Sequence, residues 1–476
     1  MAQQSHSADR YRDAVHRVGR ARTWLTLLSG AVGGPALLLA WPGVALAHQL
    51  NERYAAPLPL LAYVGGAALA VAMSFAFIIL RNAPAPRPEV SGTSRVVPRW
   101  LRLTLQSLGL IGWMWIVVQS FAGGSGDGDV ASLFLWVYGW VGLALISALG
   151  GPIWSWIDPF STIHQILGAI AGRLGISGGE SAAYPARLGK WPAVIGLAVV
   201  VWLELVARVE GGRSLGLFLV GYTVITVAAM AYYGRAAWRT NGETFSVWFG
   251  VLGRLAPFAL AGEPEEGRVV RRPYASGLMS ERWTVADLTL VALGTGSIIF
   301  DGLSQTQAYF DLFVKNGVFG STEIRDSVTA IVFLGGLIAV VILMARRLGV
   351  AALGAGLLPV AVGYLVAHYL AYLLVDGQRI VAALNDPLLR GANLLPFDLG
   401  FWEPTLFIPT AVLWSIQLAA VVGGHIVGAW AGHAVMARRE GGTTLVAQLP
   451  LAILMVALTT ITLWSLGQAV LVTPAN

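Results

Sequence analysis

Residues 349–376 read GVAALGAGLLPVAVGYLVAHYLAYLLVD, an apolar run with no charged residue before Asp376 and one histidine, His368. A helix crosses a bilayer with about 20 mostly apolar residues, because its own backbone bonds every amide where water is absent. The run therefore predicts a membrane-spanning helix that carries an ionisable side chain. Such groups are costly at bilayer depth, and each is a candidate for a functional site.

The whole chain has the same character. Of its 476 residues 56% are hydrophobic and only 12% are charged, and the mean hydropathy is +0.69. These values exclude an ordinary soluble domain, in which about 25% of residues are charged. We predict an all-α, polytopic membrane bundle of about eleven transmembrane helices. The spans lie near 24–46, 59–81, 103–121, 130–149, 191–210, 214–234, 284–303, 326–345, 349–376, 405–432 and 445–470.

Arginine and lysine gather at alternate ends of these runs. The clusters occupy 10–22, 81–102, 173–190, 235–282, 346–347 and 438–439. Cytoplasmic loops are enriched in these residues, so the pattern predicts a cytoplasmic N-terminus and an outside C-terminus. It divides the chain into a cytoplasmic basic tail, 1–23, and a single membrane domain, 24–476. The outward loops of that domain are 304–325 and 377–404, and its larger cytoplasmic loops are 150–190 and 235–283.

The net charge of +6 comes from these anchors. No basic patch interleaved with aromatic residues lies away from them, so we expect the lipid bilayer and no nucleic acid as a partner. The chain has no cysteine, and any metal would have to be held by histidine, carboxylate or amide groups. Phosphate-binding loop and H-E-x-x-H motifs are absent from the sequence, which argues against standard nucleotide-driven pumps.

A polar stripe follows the ninth predicted span. Its members are four residues apart and share one helix face: Tyr364, His368, Tyr372 and Asp376. The stripe leads into Gln378 and Asp386 of the next loop, and Asp301 ends the seventh span on the same predicted side. We therefore expect an outward-facing His/Asp site.

Histidines also occur in the tenth predicted span, where Gln417, His425 and His433 are eight residues apart, so that each lies within about a quarter-turn of the next. Glycines at 424, 428 and 432 form a small-x-x-x-small pattern, which predicts close approach of another helix. His433 is also explained as a residue at headgroup level.

The first span has two interpretations. Arg20 and Arg22 precede an apolar stretch that ends in VALA before His48, which resembles a signal peptide and its cleavage site. Cleavage would place a free amine beside the His48 imidazole, a good copper ligand. The stretch is longer than a usual signal core, and we favour a retained helix with His48 at the outer face.

Two cytoplasmic segments share a pattern. Asp158-Pro-Phe-Ser precedes IHQILGAIAGRLG, and Glu243-Thr-Phe-Ser precedes VWFGVLGRLAPFALAG. Both apolar stretches are too short to span a membrane and predict interfacial helices in the membrane plane, with Arg173 and Arg254 at the headgroups. The likeness indicates either a duplicated two-helix unit or a coincidence in a glycine-rich and leucine-rich chain.

Several polar residues also have simple structural explanations. Glu204 and Arg208 are four residues apart in the fifth span and are expected to neutralise each other. His164 and His433 are expected to bond only to neighbouring helices. For Asp301 and His368 the functional interpretation is preferred, because an acid and a histidine reach the same leaflet from two helices.

Several strings resemble one group of proteins: AHQLNERY at 47–54, RRPYASGL at 271–278, IIFDGLSQT at 298–306, LNDPLLRG at 384–391 and GGHIVGAWAGHAVM at 423–436. The chain resembles bacterial polytopic membrane proteins that carry the label fenitrothion hydrolase, from about residue 45 onwards. The resemblance implies a membrane-bound hydrolase of organophosphorus triesters in a bacterial inner membrane, with its active-site residues unassigned.

Such a hydrolase would use a metal to activate water. His48, Asp301, His368 and His425 are the candidate ligands for a divalent ion such as Zn, Cu or Mn, and Asp301, Asp376 and Asp386 are the candidate catalytic carboxylates.

The competing interpretation is transport of a small solute or ion, or metal handling, with Tyr364, Tyr372, Gln378 and Gln417 along the path. Glycine and proline interruptions near Asp301 and His368 favour it, because broken helices are common at transport sites. A third interpretation is a non-catalytic subunit with partners in a membrane complex. We rank transport or metal handling ahead of hydrolysis.

Overall fold

The computed structural model describes most of the chain from residue 94 onwards. The described residues are 64–66, 68–69, 72–74, 94–124, 128–175, 181–209, 211–315, 317, 319–396, 403–438 and 445–466. His48, the predicted span 24–46 and most of the predicted span 59–81 lie outside them.

Helices dominate this part of the protein. In chain order they are α1 (Arg99–Ala122), α2 (Val130–Leu149), α3 (Trp154–Ile157), α4 (Pro159–Arg173), α5 (Trp191–Leu205), α6 (Gly212–Tyr233), α7 (Arg235–Asn241), α8 (Thr244–Leu252), α9 (Gly277–Ser280), α10 (Val285–Ser304), α11 (Gln307–Tyr309), α12 (Thr322–Leu348), α13 (Val350–Asp376), α14 (Ile380–Asn385), α15 (Thr410–Met436) and α16 (Leu445–Leu466). The middle of α2, Leu133–Leu143, is a wider π-helix.

Eight of the helices in the described residues are long and apolar enough to cross a membrane, namely α1, α2, α6, α10, α12, α13, α15 and α16. The helix α5 is apolar but shorter. Each predicted span from 103–121 onwards coincides with one of these nine helices. The fold class, an all-α bundle of membrane-type helices, agrees with the sequence analysis, and the total of eleven spans stays a prediction.

A small antiparallel sheet was not predicted. Its strands are β1 (Ser94–Val96), β2 (Phe258–Leu260) and β3 (Arg268–Arg271), in the order β1-β3-β2. Ser94 pairs with Val270, and Phe258 pairs with Arg271. The sheet joins the segment before α1 to the long connection between α8 and α10.

Basic side chains near the ends of several helices bond to this connection and to the first turn of α10. Lys190 Nζ lies 2.8 Å from Asp287 Oδ1, Arg235 Nη2 lies 2.8 Å from Glu265 Oε1, and Arg438 Nη1 donates to the Met279 carbonyl. We call this end of the bundle the basic face. The opposite end, where α10 and α13 terminate in Ser304 and Asp376, is called the site face.

The helices α13 and α15 form a tight contact through glycines. A Cβ atom on Gly428 would lie 2.3 Å from the Gly356 carbonyl oxygen, and one on Gly424 would lie 2.5 Å from the Pro359 carbonyl oxygen. No side chain fits at these separations, so the small-residue pattern on α15 marks a helix contact as predicted.

The two segments that share the acid-x-Phe-Ser pattern also share local geometry. The Asp158 carboxylate accepts hydrogen bonds from the Phe160 and Ser161 amides at the start of α4, and Glu243 accepts from the Phe245 and Ser246 amides at the start of α8. Each acid therefore caps a short helix and lies at its positive end.

The prediction that both short helices are interfacial is wrong for α8. Most of its side chains are buried inside the bundle, and Arg254 beyond it is 4% exposed, with Nη2 3.2 Å from Asp287 Oδ2. Trp248 of α8 stacks on Trp140 of α2 and lies beside Gly294 of α10, and Phe245 and Phe249 pack against Trp154 of α3. By contrast, α4 keeps exposed apolar side chains such as Leu167 and Ile170, as an interfacial helix would.

Candidate functional site

The site forms where α10 and α13 reach the site face. Asp301 is in the last turn of α10 and His368 is two turns before the end of α13, and the His368 Nε2 atom lies 2.8 Å from Asp301 Oδ2. The His368 side chain is 16% exposed and the Asp301 side chain is 20% exposed, so water or a small ion can reach the pair. The predicted pairing of these two residues is therefore present.

Tyr369 extends the pair to a second carboxylate. Its hydroxyl lies 3.1 Å from Asp301 Oδ2 and 3.4 Å from Glu204 Oε1 at the end of α5. One phenolic hydrogen can serve only one of these two acceptors at a time. The other Glu204 oxygen, Oε2, is buried and has no hydrogen-bond partner among the described residues.

The predicted neutralisation of Glu204 by Arg208 is wrong. The helix α5 ends at Leu205, and Arg208 has a φ of 47°, so the two residues are not one helical turn apart. Arg208 Nη2 instead lies 3.1 Å from Asp326 Oδ2. Glu204 is left facing Tyr369 and Asp301, and sequence spacing could not reveal this because it assumed a continuous helix.

Two carboxyl groups therefore share one basic side chain at this position. Within the described ranges, neither Asp301 nor Glu204 forms an ion pair with a lysine or arginine, and His368 is the only basic group bonded to either. A buried carboxylate without a compensating cation is strongly unfavourable. The cluster of Glu204, Asp301, His368 and Tyr369 is thus suited to hold a proton or a small cation.

Neighbouring side chains orient this four-residue cluster. Gln305 Nε2 donates to Asp301 Oδ1 at 2.9 Å, one turn further along the chain. The Tyr372 ring centroid lies 6.4 Å from that of Tyr369. Gly302 leaves room for both His368 and Ser465 of α16, because a Cβ there would lie 3.7 Å from His368 Cε1 and 2.9 Å from Ser465 Oγ.

The other polar residues predicted for this face serve the local structure. Asp376 Oδ1 lies 3.0 Å from Arg379 Nε, and Gln378 donates to the Leu374 and Thr405 carbonyls. Asp386 accepts from the backbone amides of Arg390 and Gly391, which lower the pKa of its carboxyl group. These contacts define the turns after α13, and Asp376 and Asp386 make no described contact with the cluster.

His425 is not part of this site. It is fully buried on α15, where Nδ1 lies 2.7 Å from the Val421 carbonyl and Nε2 lies 2.7 Å from Thr459 Oγ1. The Tyr364 hydroxyl is 3.4 Å from the same Nε2. Gln417, one of the predicted path residues, donates to the Ala367 carbonyl and holds α15 against α13.

The proposed metal ligands accordingly do not converge. Both ring nitrogens of His425 are engaged elsewhere, and His48 lies outside the described residues. Among the residues that the structure does describe, no three His, Cys, Asp or Glu side chains are placed to hold a metal ion. Asp301, His368 and His425 therefore do not form the predicted metal-binding site.

Histidine 433 has a structural partner. Its Nδ1 atom lies 2.9 Å from Gln448 Oε1 of α16, and the side chain is buried. It therefore bonds to a neighbouring helix, as expected.

A second acidic pair lies towards the basic face. Asp158 and Glu243 are both buried, Arg239 Nε is 3.5 Å from Asp158 Oδ2, and Tyr222 donates its hydroxyl to Glu243. Burial, followed by the charge of Glu243, raises the pKa of Asp158 to about 6. A cavity of about 600 Å³ adjoins this pair and is lined by Trp154, Lys190, Arg239, Arg254 and Arg272, among others.

Comparison of the chain with family models, curated proteins and solved structures finds no match. The fenitrothion hydrolase resemblance therefore stays an expectation from the sequence.

Proposed function

We propose that this protein is a transporter in which movement of a solute is coupled to a small cation, a proton or a monovalent metal ion, bound at the cluster of Glu204, Asp301, His368 and Tyr369. The observation that carries the proposal is the pair of carboxylates on two helices with no lysine or arginine ion-paired to either within the described ranges. Ionisable groups placed in this way inside membrane bundles commonly mark ion pathways.

The shared tyrosine supplies a means of coupling. When an ion neutralises Asp301, the Tyr369 hydrogen is free to bond Glu204, and when Glu204 is neutralised the same hydrogen returns to Asp301. The two arrangements join α13 to different helices, α5 and α10. Ion binding that favours one arrangement shifts the balance between two states of the bundle.

Orientation follows from charge. The basic face carries Lys190, Arg235 and Arg438, which belong to three of the lysine and arginine clusters, and cytoplasmic loops are enriched in these residues. We place that face in the cytoplasm and the ion site on the outer side of a bacterial inner membrane. An ion would then enter from outside through the partly exposed Asp301 and His368.

The test needs no knowledge of the solute. Purified protein is reconstituted into liposomes on a solid-supported membrane, and the charge displaced after a rapid change of pH or Na⁺ concentration is recorded. We expect a transient current in the wild type. Glu204→Gln and Asp301→Asn should each reduce it at least tenfold, because they remove the charge that binds the ion.

Asp376→Asn is the matched control, since Asp376 lies on the same face but pairs with Arg379. Its current should equal that of the wild type. The proposal fails if the wild type gives no current with either ion, or if the four proteins behave alike. Release of product from an organophosphorus triester that depends on Asp301, without any ion current, would indicate the hydrolase instead.

A further inference from the structure

Three hydroxyl side chains of α16 line the interior between the ion site and His425. Thr459, Thr462 and Ser465 are each three residues apart, and all three are buried. At 1.5 Å of rise per residue they cover about 9 Å along the helix axis. Thr459 and Ser465 each donate a hydrogen bond to a carbonyl of their own helix, that of Met455 and that of Thr462, and their oxygens keep lone pairs that can accept a proton.

The lower end of the row contacts His425. Thr459 Oγ1 lies 2.7 Å from Nε2, while Nδ1 lies 2.7 Å from the Val421 carbonyl. The carbonyl can only accept, so Nδ1 carries a hydrogen and Nε2 is the nitrogen that can gain or lose a proton. The only other titratable group described next to this ring is Tyr364 of α13.

Thr462 is the middle residue of the row. Thr462 is 2% exposed, and its Oγ1 has no hydrogen-bond partner among the described residues. Thr459 and Thr462 both lie beside the Tyr364 hydroxyl. An unsatisfied hydroxyl at this depth is unfavourable, and a small shift of the side chain would let it bond to Tyr364.

The upper end of the row reaches the ion site through Gly302. Ser465 Oγ and His368 Cε1 both lie within contact distance of the position that a Cβ on Gly302 would occupy. The missing side chain thus leaves the serine hydroxyl and the imidazole beside the same gap.

We infer that the ion taken up at the site is a proton, and that it passes from His368 and Asp301 along Ser465, Thr462, Thr459 and Tyr364 to His425. The inference rests on the proposed function and names the ion of that site. Metal cations need several oxygen ligands at once, whereas each residue on this route beyond Asp301 offers a single hydroxyl or ring nitrogen. Single groups placed one after another can pass a proton along the helix.

Each transfer is balanced. A hydroxyl oxygen accepts a proton from the group above and releases its own hydrogen to the group below, so no net charge stays on the hydroxyls. The last transfer places the proton on His425 Nε2 and forms an imidazolium, with Nδ1–H still bonded to Val421. Beyond His425, Gly356 and Gly428 belong to the close contact between α13 and α15.

The test measures proton uptake into liposomes that hold the full chain and a pH-sensitive dye, driven by a potassium diffusion potential. Thr462→Val keeps the shape of the side chain but removes its hydroxyl, and we expect uptake to fall at least tenfold. His425→Gln should have a similar effect. Thr462→Ser restores a hydroxyl and should recover most of the uptake.

Thr460→Val is the matched control. Thr460 is on the same helix, and its hydroxyl donates only to the Val456 carbonyl within its own turn. Its uptake should equal that of the wild type. For every variant the charge displaced at the ion site is measured as well as proton uptake. A misfolded variant loses both signals, whereas Thr462→Val should lose proton uptake and keep the charge displacement.

Two outcomes would overturn the inference while leaving the proposed function intact. One is full proton uptake by Thr462→Val, and the other is a wild-type current that follows Na⁺ and is indifferent to pH. A wild type that responds to neither ion would overturn both.

Discussion

Removal of the Tyr369 hydroxyl is the most direct test of the site. In Tyr369→Phe, Asp301 keeps its contacts with His368 and Gln305, so it still has two partners. Glu204 loses the only donor that the structure gives it, and its other oxygen is already without one. The cost of the substitution therefore falls mainly on Glu204.

The size of that cost depends on the charge of Glu204. A hydrogen bond to a charged group contributes about 1.5–3 kcal/mol, and one between neutral groups contributes about 0.5–1.5 kcal/mol. We expect Tyr369→Phe to lower the free energy of unfolding by about 1.5–3 kcal/mol if Glu204 is ionised, and by about 1 kcal/mol if it holds a proton. The measured value thus reports the protonation state of the site.

The assay is denaturant unfolding in detergent micelles, followed by tryptophan fluorescence. Tyr372→Phe is the control, because Tyr372 lies one turn away and no hydrogen bond of its hydroxyl is described; its effect should stay within about 0.5 kcal/mol. A double-mutant cycle of Tyr369→Phe with Glu204→Gln then isolates the pairwise energy. Equal stability of the two phenylalanine variants would refute the contact between Tyr369 and Glu204.

Two further predictions concern the scaffold. Gly428→Ala should destabilise the protein by about 1–3 kcal/mol, since the new Cβ would lie 2.3 Å from the Gly356 carbonyl oxygen. The control is Gly423→Ala on the same helix, whose Cβ meets nothing within 4 Å and which should be neutral or stabilising by up to about 1 kcal/mol. Equal unfolding midpoints of the two variants in detergent would contradict this prediction. Because the pKa of Asp158 is raised from 3.8 to about 6, the folded protein holds this proton more tightly than the unfolded chain does, and the associated stability is present below about pH 4 and is lost as the pH rises through about 6. Asp158→Asn should flatten this part of the thermal-stability profile, and identical profiles for the two proteins would show that the carboxyl does not titrate there.

Sequence reasoning located one half of the site and missed the other. Asp301 and His368 were expected to lie in one site, because an acid and a histidine reach the same leaflet from two helices. Tyr369 was overlooked because it is one residue off the four-residue stripe. Glu204 was assigned to Arg208, since the sequence does not reveal that α5 stops at Leu205. The signal that could have identified it is the rarity of a carboxylate in an apolar run.

The amino-acid sequence by itself determined the membrane class, the approximate spans and the grouping of basic loops on one face. These properties depend on composition along the chain, because every spanning helix must be long and apolar and cytoplasmic loops are enriched in lysine and arginine. Tertiary structure decided the rest: that Glu204 faces Asp301, that α8 is buried, and that His425 bonds to Thr459 instead of joining the ion site. A helix that is apolar on all sides has no sequence feature that fixes its rotation about its own axis. Contacts between helices fix that rotation, and they also determine which polar side chains meet.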